Sequence, residues 1–432
     1  MRILVPFEGD GSGSSELSWG QLEMWQTMCR HRSSLGIGGV LPLDGGATVE
    51  DVADMVRFMM SRHQSLRTRL RFDAADQPRQ VVSSAGEIPL EIIDTDEDPA
   101  GFAAALWTRY HDVVFDYVHE WPMRAAVVRH RGQPTHAVFV CTHLATDGFG
   151  LNVLRAELST MDRASPVTAT QPLEQARWQR SPAGRRQSDA ALAYWETVLR
   201  TIPPGRFRGS DRWHEPTLQE VNFSSPAAHL ATLAIAARTT ANTSSVLLAA
   251  FAVALATVTG VNPVVTQVVV SNRFRPGLAG SVSTVSHPGL CVIDVAGVPF
   301  DEAVVRVWRA LLRANKNAYF DPAGKQALIE RVERERGEPV DLSCFYNDRR
   351  VRHREEPNGH IPGAPEISAA RGRTTLRWVR PIDGSSERFF FHINDVPGTV
   401  DIRLSVDTRY VSPADTEAFL HGMESALVSA VA

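Results

Sequence analysis

Apolar and polar positions alternate along the chain with two periods, and the changes of period mark the elements. Val52, Met55, Val56 and Met59 form one stripe at helical spacing and predict a helix from Val49 to His63. Leu17 to Met28 reads as a helix too. Ser18 stands at its N-cap position and Gln21 three residues on, as in a capping box. Arg67–Phe72 and Arg79–Val82 read as paired strands, and Met1–Phe7 as an edge strand. Residues 102–118 are helical or mixed. Met123–His130 and Thr135–Cys141 read as strands joined by the turn Arg131-Gly132-Gln133-Pro134. In the second half, helices are expected over Asp189–Arg200, Ser244–Thr259 (with Gly260 as C-cap), Asp301–Ala318 and from about Ser412. Val264–Ser271 is a nearly continuous apolar run, the pattern of a buried strand. Leu342–Tyr346, Leu376–Val379, Phe389–Ile393 and Val400–Val406 complete the strands. The interleaving predicts an α/β fold of the α+β type, with mixed sheets flanked by helices.

A chain of 432 residues suits about two lobes, each able to bury a core. Composition changes over Ala164–Arg186, which is rich in Pro, Ser, Gln and Arg, so the lobes are expected to be 1–175 and 176–432. Gly9–Ser15 reads as a flexible linker. Its G-x-G-x-G lacks the G-x-G-x-x-G spacing of a dinucleotide site.

The net charge of −4 supplies no basic field, which argues against nucleic acid as a main partner. No apolar run reaches the roughly 18–20 residues that span a bilayer. The longest, Val246–Val258, reads as a buried helix, and no membrane partner is expected. Residues 1–15 lack the order of a signal peptide. Cys29, Cys141, Cys291 and Cys344 form no C-x-x-C pair, so reduced thiols in a cytoplasm and no metal are expected.

The chemistry concentrates at Thr142-His143-Leu144-Ala145-Thr146-Asp147-Gly148, directly after an apolar strand. Acyl transfer to an amine or hydroxyl needs a base at the nucleophile, donors for the oxyanion and exclusion of water. His143 is the candidate base, fixed by the strand before it. Gly148 is expected to turn tightly and admit a ligand, and the helix from about Gly150 to Met161 adds its positive end. His143 and Asp147 also have the spacing of two metal ligands on a helix. The preceding strand argues against that helix, and no third ligand is near in sequence. No G-x-S-x-G elbow of a serine hydrolase is present.

Further motifs stand in a fixed order. Leu17-Ser18-Trp19-Gly20-Gln21 precedes Met24-Trp25. Arg62-His63-Gln64-Ser65-Leu66-Arg67-Thr68 comes next, then the His143 segment, then Arg177-Trp178-Gln179 with Ala193-Tyr194-Trp195. Ser271-Asn272-Arg273 and Asn317-Ala318-Tyr319-Phe320-Asp321 follow. In this order the chain resembles the condensation domains of nonribosomal peptide synthetases over almost its whole length.

The resemblance implies two chloramphenicol-acetyltransferase-like lobes in a V with a central tunnel. It implies a stand-alone acyltransferase that forms an amide or ester from a thioester donor and an amine or hydroxyl acceptor in natural-product biosynthesis. His143 would position or deprotonate the acceptor, and Gly148 would keep room and backbone donors beside the carbonyl. Asp147 would pair structurally with Arg273 from the other lobe's strand, while Thr142, Ser271 and His287 would line the substrate tunnel. No bound cofactor is implied. Substrates would arrive on phosphopantetheine or as coenzyme A thioesters, with a carrier protein acting in trans and a small-molecule acceptor as partners. Arg62, His63 and Arg67 would be architectural, and Trp19, Trp25, Trp178 and Trp195 would serve packing.

Two positions depart from the family pattern. Thr142 replaces the first motif His, where its hydroxyl is able to bond a neighbouring backbone group. His287 takes the Asn place of a Val-Asn-Thr segment, either as a tunnel residue or as a surface histidine. Arg349, Arg350, Arg352 and Arg354 are either a dock for an acidic carrier or, between Asp348 and Glu355, a solvated charged turn. The alternative to an enzyme is a non-catalytic platform of this fold that recruits another pathway enzyme.

Overall fold

The computed structural model describes residues 1–207, 209, 217–351, 360–379 and 387–431. Arg352, Arg354 and Glu355 lie outside the described residues. The chain forms two compact units: Met1–Gln187 with Ser271–His287, and Ser188–Val270 with Pro288–Ala432.

The first unit runs β1 (Arg2–Glu8), β2 (Gly13–Glu16), α1 (Trp19–His31), β3 (Ile37–Pro42), α2 (Val49–Arg62), β4 (Thr68–Phe72), β5 (Pro78–Val82), β6 (Ala85–Thr95), α3 (Pro99–Asp112), β7 (Met123–His130), β8 (Gln133–Cys141), α4 (Gly148–Thr160) and α5 (Pro172–Gln179). Helix α6 (Pro182–Leu199) begins there and ends in the second unit. Strands β1-β6-β7-β8-β3 make a mixed sheet in which only β6 and β7 run parallel. Alternation along each strand sends successive side chains to opposite faces. Val52, Val56 and Met59 of α2 therefore pack with Ile88, Leu90 and Val127 on one face. Ala103 and Leu106 of α3 pack with Ala126, Val128 and Val138 on the other. The capping box at Ser18 and Gln21 is formed and starts α1.

The second unit continues with β9 (Leu218–Ser225), α7 (Pro226–Thr239), α8 (Thr243–Thr259), β10 (Val264–Val270), β11 (His287–Ile293), α9 (Phe300–Lys316), α10 (Pro322–Arg336), β12 (Cys344–Asp348), α11 (Ala364–Ala370), β13 (Thr375–Trp378), β14 (Phe389–Asn394), β15 (Val400–Asp407) and α12 (Pro413–Val431). Its seven-stranded sheet has the order β11-β10-β12-β14-β15-β9-β13. It is parallel from β10 to β14 and antiparallel from β14 to β13. One face carries α7, α8, α9 and α12. Phe251 of α8 sits among Tyr346, Phe389, Phe391 and Phe419 with ring centroids 5.1 to 6.2 Å apart. Among the described residues no single helix is long and apolar enough to cross a membrane. The mixed sheets flanked by helices that the sequence predicts are the architecture found.

Several expectations are corrected. Gly9–Ser15 is not a free linker: β2 pairs with β5, and the fully buried Arg67 guanidinium donates to the carbonyls of Asp10, Gly11 and Ser83. A buried cation with this many carbonyl acceptors fixes the strand despite its glycines. The 102–118 segment is mixed, in line with its reading, with helix as far as Asp112. The Pro-rich stretch holds α5, with Pro172 at the position of a helix start that needs no N–H. Trp19 and Trp195 are buried and Trp25 packs on Tyr117, but Trp178 is exposed.

Candidate functional site

Strand β8 ends at Cys141 and the chain turns at once, closed by the Ala145 N–H on the Thr142 carbonyl at 3.0 Å. The main chain of His143 is held on both sides. Its N–H donates to the Ser34 carbonyl at 3.1 Å, and its carbonyl accepts from the Thr284 hydroxyl at 2.5 Å. His143 itself is half-buried. Thr142 beneath it is fully buried, with its hydroxyl 3.5 Å from the Ser34 carbonyl and 3.5 Å from the Leu144 N–H.

Asp147 caps α4 and is the hub of the loop. Its Oδ1 accepts from the Gly150 N–H at 2.9 Å and lies 2.7 Å from Arg273. Its Oδ2 accepts from Arg273 at 3.0 Å, from the N–H groups of Val285 and Ser286 at 3.1 and 3.2 Å, and from the Ser286 hydroxyl at 2.8 Å. Burial alone would raise its pKa. The Arg273 charge, then hydrogen bonds from Arg273, Gly150 and Ser286, outweigh burial and hold the carboxyl below its usual range. Both carboxylate oxygens are thus engaged by Arg273 and by donors of the loop.

Arg273 sits on the Ser271–His287 segment, which clusters with the first unit rather than with the second. Its Nη2 also donates to the carbonyls of Ser281 and Ser283 at 2.8 and 3.3 Å, and its guanidinium lies over Phe149. The same segment thus grips the His143 turn twice, through Thr284 at its start and through Val285, Ser286 and Arg273 at its end. Two glycines admit it. A Cβ on Gly150 would lie 2.2 Å from the Val282 carbonyl oxygen, and one on Gly20 would lie 2.2 Å from that of Thr284.

Gly148 differs from its expected part in the turn. It is the first residue of α4, with a φ outside the left-handed region, and a Cβ on it would meet nothing within 4 Å. Gly150→Ala is expected to cost several kcal/mol, since the clash is with backbone and a fixed segment must move. Gly148→Ala is expected to leave the melting temperature within about 2 °C, the scale of a surface substitution. Thermal denaturation of both variants checks this, and equal losses would contradict it.

His287 is buried, 2% exposed, at the first residue of β11, which corrects its reading as a surface histidine. Ser271, half-buried, opens the same segment, with its carbonyl 3.5 Å from Arg273. Arg62 and His63 tie α2 to α4 through Glu157, with His63 Nε2 2.7 Å from Glu157. The basic cluster is not one exposed turn: Arg350 is buried and bonded to Asp348 at 2.8 and 2.9 Å, whereas Arg349 is exposed. Burial pushes the Cys141 and Cys291 thiols up to about 12, so neither serves as a thiolate nucleophile. Among the described residues no three His, Cys, Asp or Glu side chains gather as a metal site. Sequence reasoning missed Ser34, Thr284, Ser286 and Gly150, which carry no motif of their own.

The family model of the condensation domain matches residues 14–323. An isonitrile lipopeptide synthase of Mycobacterium tuberculosis is 26% identical over 325 residues, 70% of this chain and 13% of that protein. The chain spans less than a quarter of the length of several curated relatives it matches, from 1% to 24%. The fold is similar to a solved condensation domain described as mediating chain release from the enacyloxin polyketide synthase. The TM-score is 0.73 at 21% identity, over 96% of this chain and 82% of the other. It is also similar to the X-domain solved in complex with OxyB from teicoplanin biosynthesis, with TM-score 0.69 at 18% identity over 98% and 94% of the two chains. With the ordered motifs, the two mixed sheets and a family model matching most of its length, this chain belongs to the condensation-domain family.

Proposed function

We propose that the chain is an acyltransferase that forms an amide or ester between a thioester-activated acyl group and an amine or hydroxyl acceptor, with His143 at the reaction centre. The observation that carries this reading is the double anchoring of the His143 main chain by Ser34 and Thr284. A base whose backbone is fixed needs little reorganisation to meet the acceptor.

In the step proposed, the acceptor nitrogen or oxygen attacks the thioester carbonyl carbon. A C–N or C–O bond forms, the C–S bond breaks, and the acceptor proton passes by way of His143 to the departing thiolate. The space beside Gly148 would take the reacting carbonyl, near the N-terminal turn of α4 whose amides favour a developing oxyanion. Asp147 and Arg273 hold the loop and take no proton. The donor would reach the protein on phosphopantetheine of a carrier acting in trans, or as a coenzyme A thioester.

The test is product formation from a panel of carrier-bound and coenzyme A thioesters with amine and alcohol acceptors. Amide or ester and released thiol are expected in equal amounts. A second reading, the recruiting platform, is favoured by Thr142 in place of the first motif His and by the likeness to the X-domain of the OxyB complex. Stable capture of a pathway enzyme, with no thiol released from any donor, would favour the platform and overturn the first reading.

A further inference from the structure

The seven-stranded sheet carries α7, α8, α9 and α12 on one face, while α6 and α10 cover only the β10–β11 end of the other, through Val265 and Leu290. Phe389, Phe391 and Ile393 of β14 enter the core on the first face, so Phe390 and His392 point to the other face. Arg403 lies likewise between the core residues Ile402 and Leu404, and Asn347 follows the core residue Tyr346. Register places Asn347 and Arg403 on either side of His392. The opposite face of β12, β14 and β15 therefore presents Asn347, His392 and Arg403 side by side, with Arg349 at the end of β12.

The hydrogen bonding there is incomplete. Nη2 of Arg349 is 3.2 Å from Nε2 of His392. A guanidinium only donates, so Nε2 accepts and the imidazole proton sits on Nδ1. That Nδ1–H is buried and has no hydrogen-bond partner, in a side chain only 7% exposed. Burial, then the charges of Arg349 and Arg403, push the His392 pKa well below its usual value, in keeping with a neutral ring. Glu220 is paired with Arg403 and is the one carboxylate bonded to the cluster among the described residues, which leaves one positive charge over. An unmet buried donor costs about 1–3 kcal/mol and calls for an explanation. The Phe390 ring lies 4.1 Å from His392 and Phe345 lies 5.2 Å from Phe390, an apolar wall beside the charges.

We propose that Asn347, Arg349, His392 and Arg403 form a binding site for an oxyanion, a carboxylate or phosphate carried by a small molecule, with Phe345 and Phe390 packing against its apolar part. The anion accepts the unmet Nδ1–H and charge-assisted bonds from the two guanidinium groups. Arg349 and Arg403 are long and exposed, so their movement opens the way to the imidazole. The site does not depend on His143, and its test uses no turnover.

Succinate and inorganic phosphate are titrated separately into the full chain by calorimetry at matched ionic strength, and the ring nitrogens of His392 are followed by NMR. Saturable binding of at least one anion is expected, with the His392 Nδ1 signal shifting along the same curve. Tighter succinate points to a carboxylate ligand and tighter phosphate to a phosphate. R403Q, at an exposed position, and H392F are each expected to weaken it at least about tenfold, the loss of one charge-assisted bond. No saturable binding of either anion by the wild type, an unmoved His392 signal, or undiminished affinity in folded R403Q overturns the proposal.

Discussion

Asp147→Asn is expected to destabilise the protein by about 3–5 kcal/mol, because it leaves the Arg273 guanidinium buried without its counter-charge. The side chains of Asp147 and Arg273 are 3% and 9% exposed, so solvent screens little of the loss. The melting temperature is expected to fall on the order of 10 °C for a unit of about 200 residues. Replacing both partners with apolar residues is expected to recover much of that, since the buried charge goes with the carboxylate. The pH dependence follows from the depressed carboxyl. Its contribution is complete above the unfolded Asp value of about 3.9 and is lost as pH falls through the lower folded value. The wild type therefore loses stability in acid, below about pH 4, and Asp147→Asn lacks this part of the loss. Melting curves of the two proteins between neutral and acid pH check it. Parallel curves would mean that the ion pair contributes nothing.

His143→Ala is expected to lower the rate of acyl transfer by roughly 100- to 10,000-fold, the range for removal of a positioned acid–base group. The fold should survive. The bonds that set this turn use the main chain of His143, which alanine retains, with Ser34 and Thr284 as partners. The deficit should appear in kcat with KM for the donor little changed, because the donor does not need the imidazole in order to bind. A rise in KM alone would assign His143 to binding.

The elements that the sequence announces are those whose partners are close by. The apolar stripe of α2, the Ser18–Gln21 box and the Gly260 cap of α8 rest on residues a few positions apart. Strand β3 is hidden by Gly36, Gly38 and Gly39, which erase the alternation. The structure requires glycine at 38, where a Cβ would lie 2.0 Å from the Phe139 carbonyl oxygen. The site behaves the same way. His143 stands out because a strand runs into it, and Asp147 and Arg273 could be matched only through the order of the family motifs, since 126 residues separate them. Thr284 lies 141 residues from the carbonyl it holds, and no periodicity reports such a contact. Gly150 looks like any helical glycine until the Val282 backbone is seen against it.

In the proposed reaction an anchored His143 moves the acceptor's proton. The most direct test of this role is the single-turnover rate of thiol release, with enzyme in excess over one thioester and one saturating acceptor, for wild type and His143→Ala of equal melting temperature. The expected ratio of rates is roughly 100 or more. A ratio near one, with both proteins folded, would contradict the assignment.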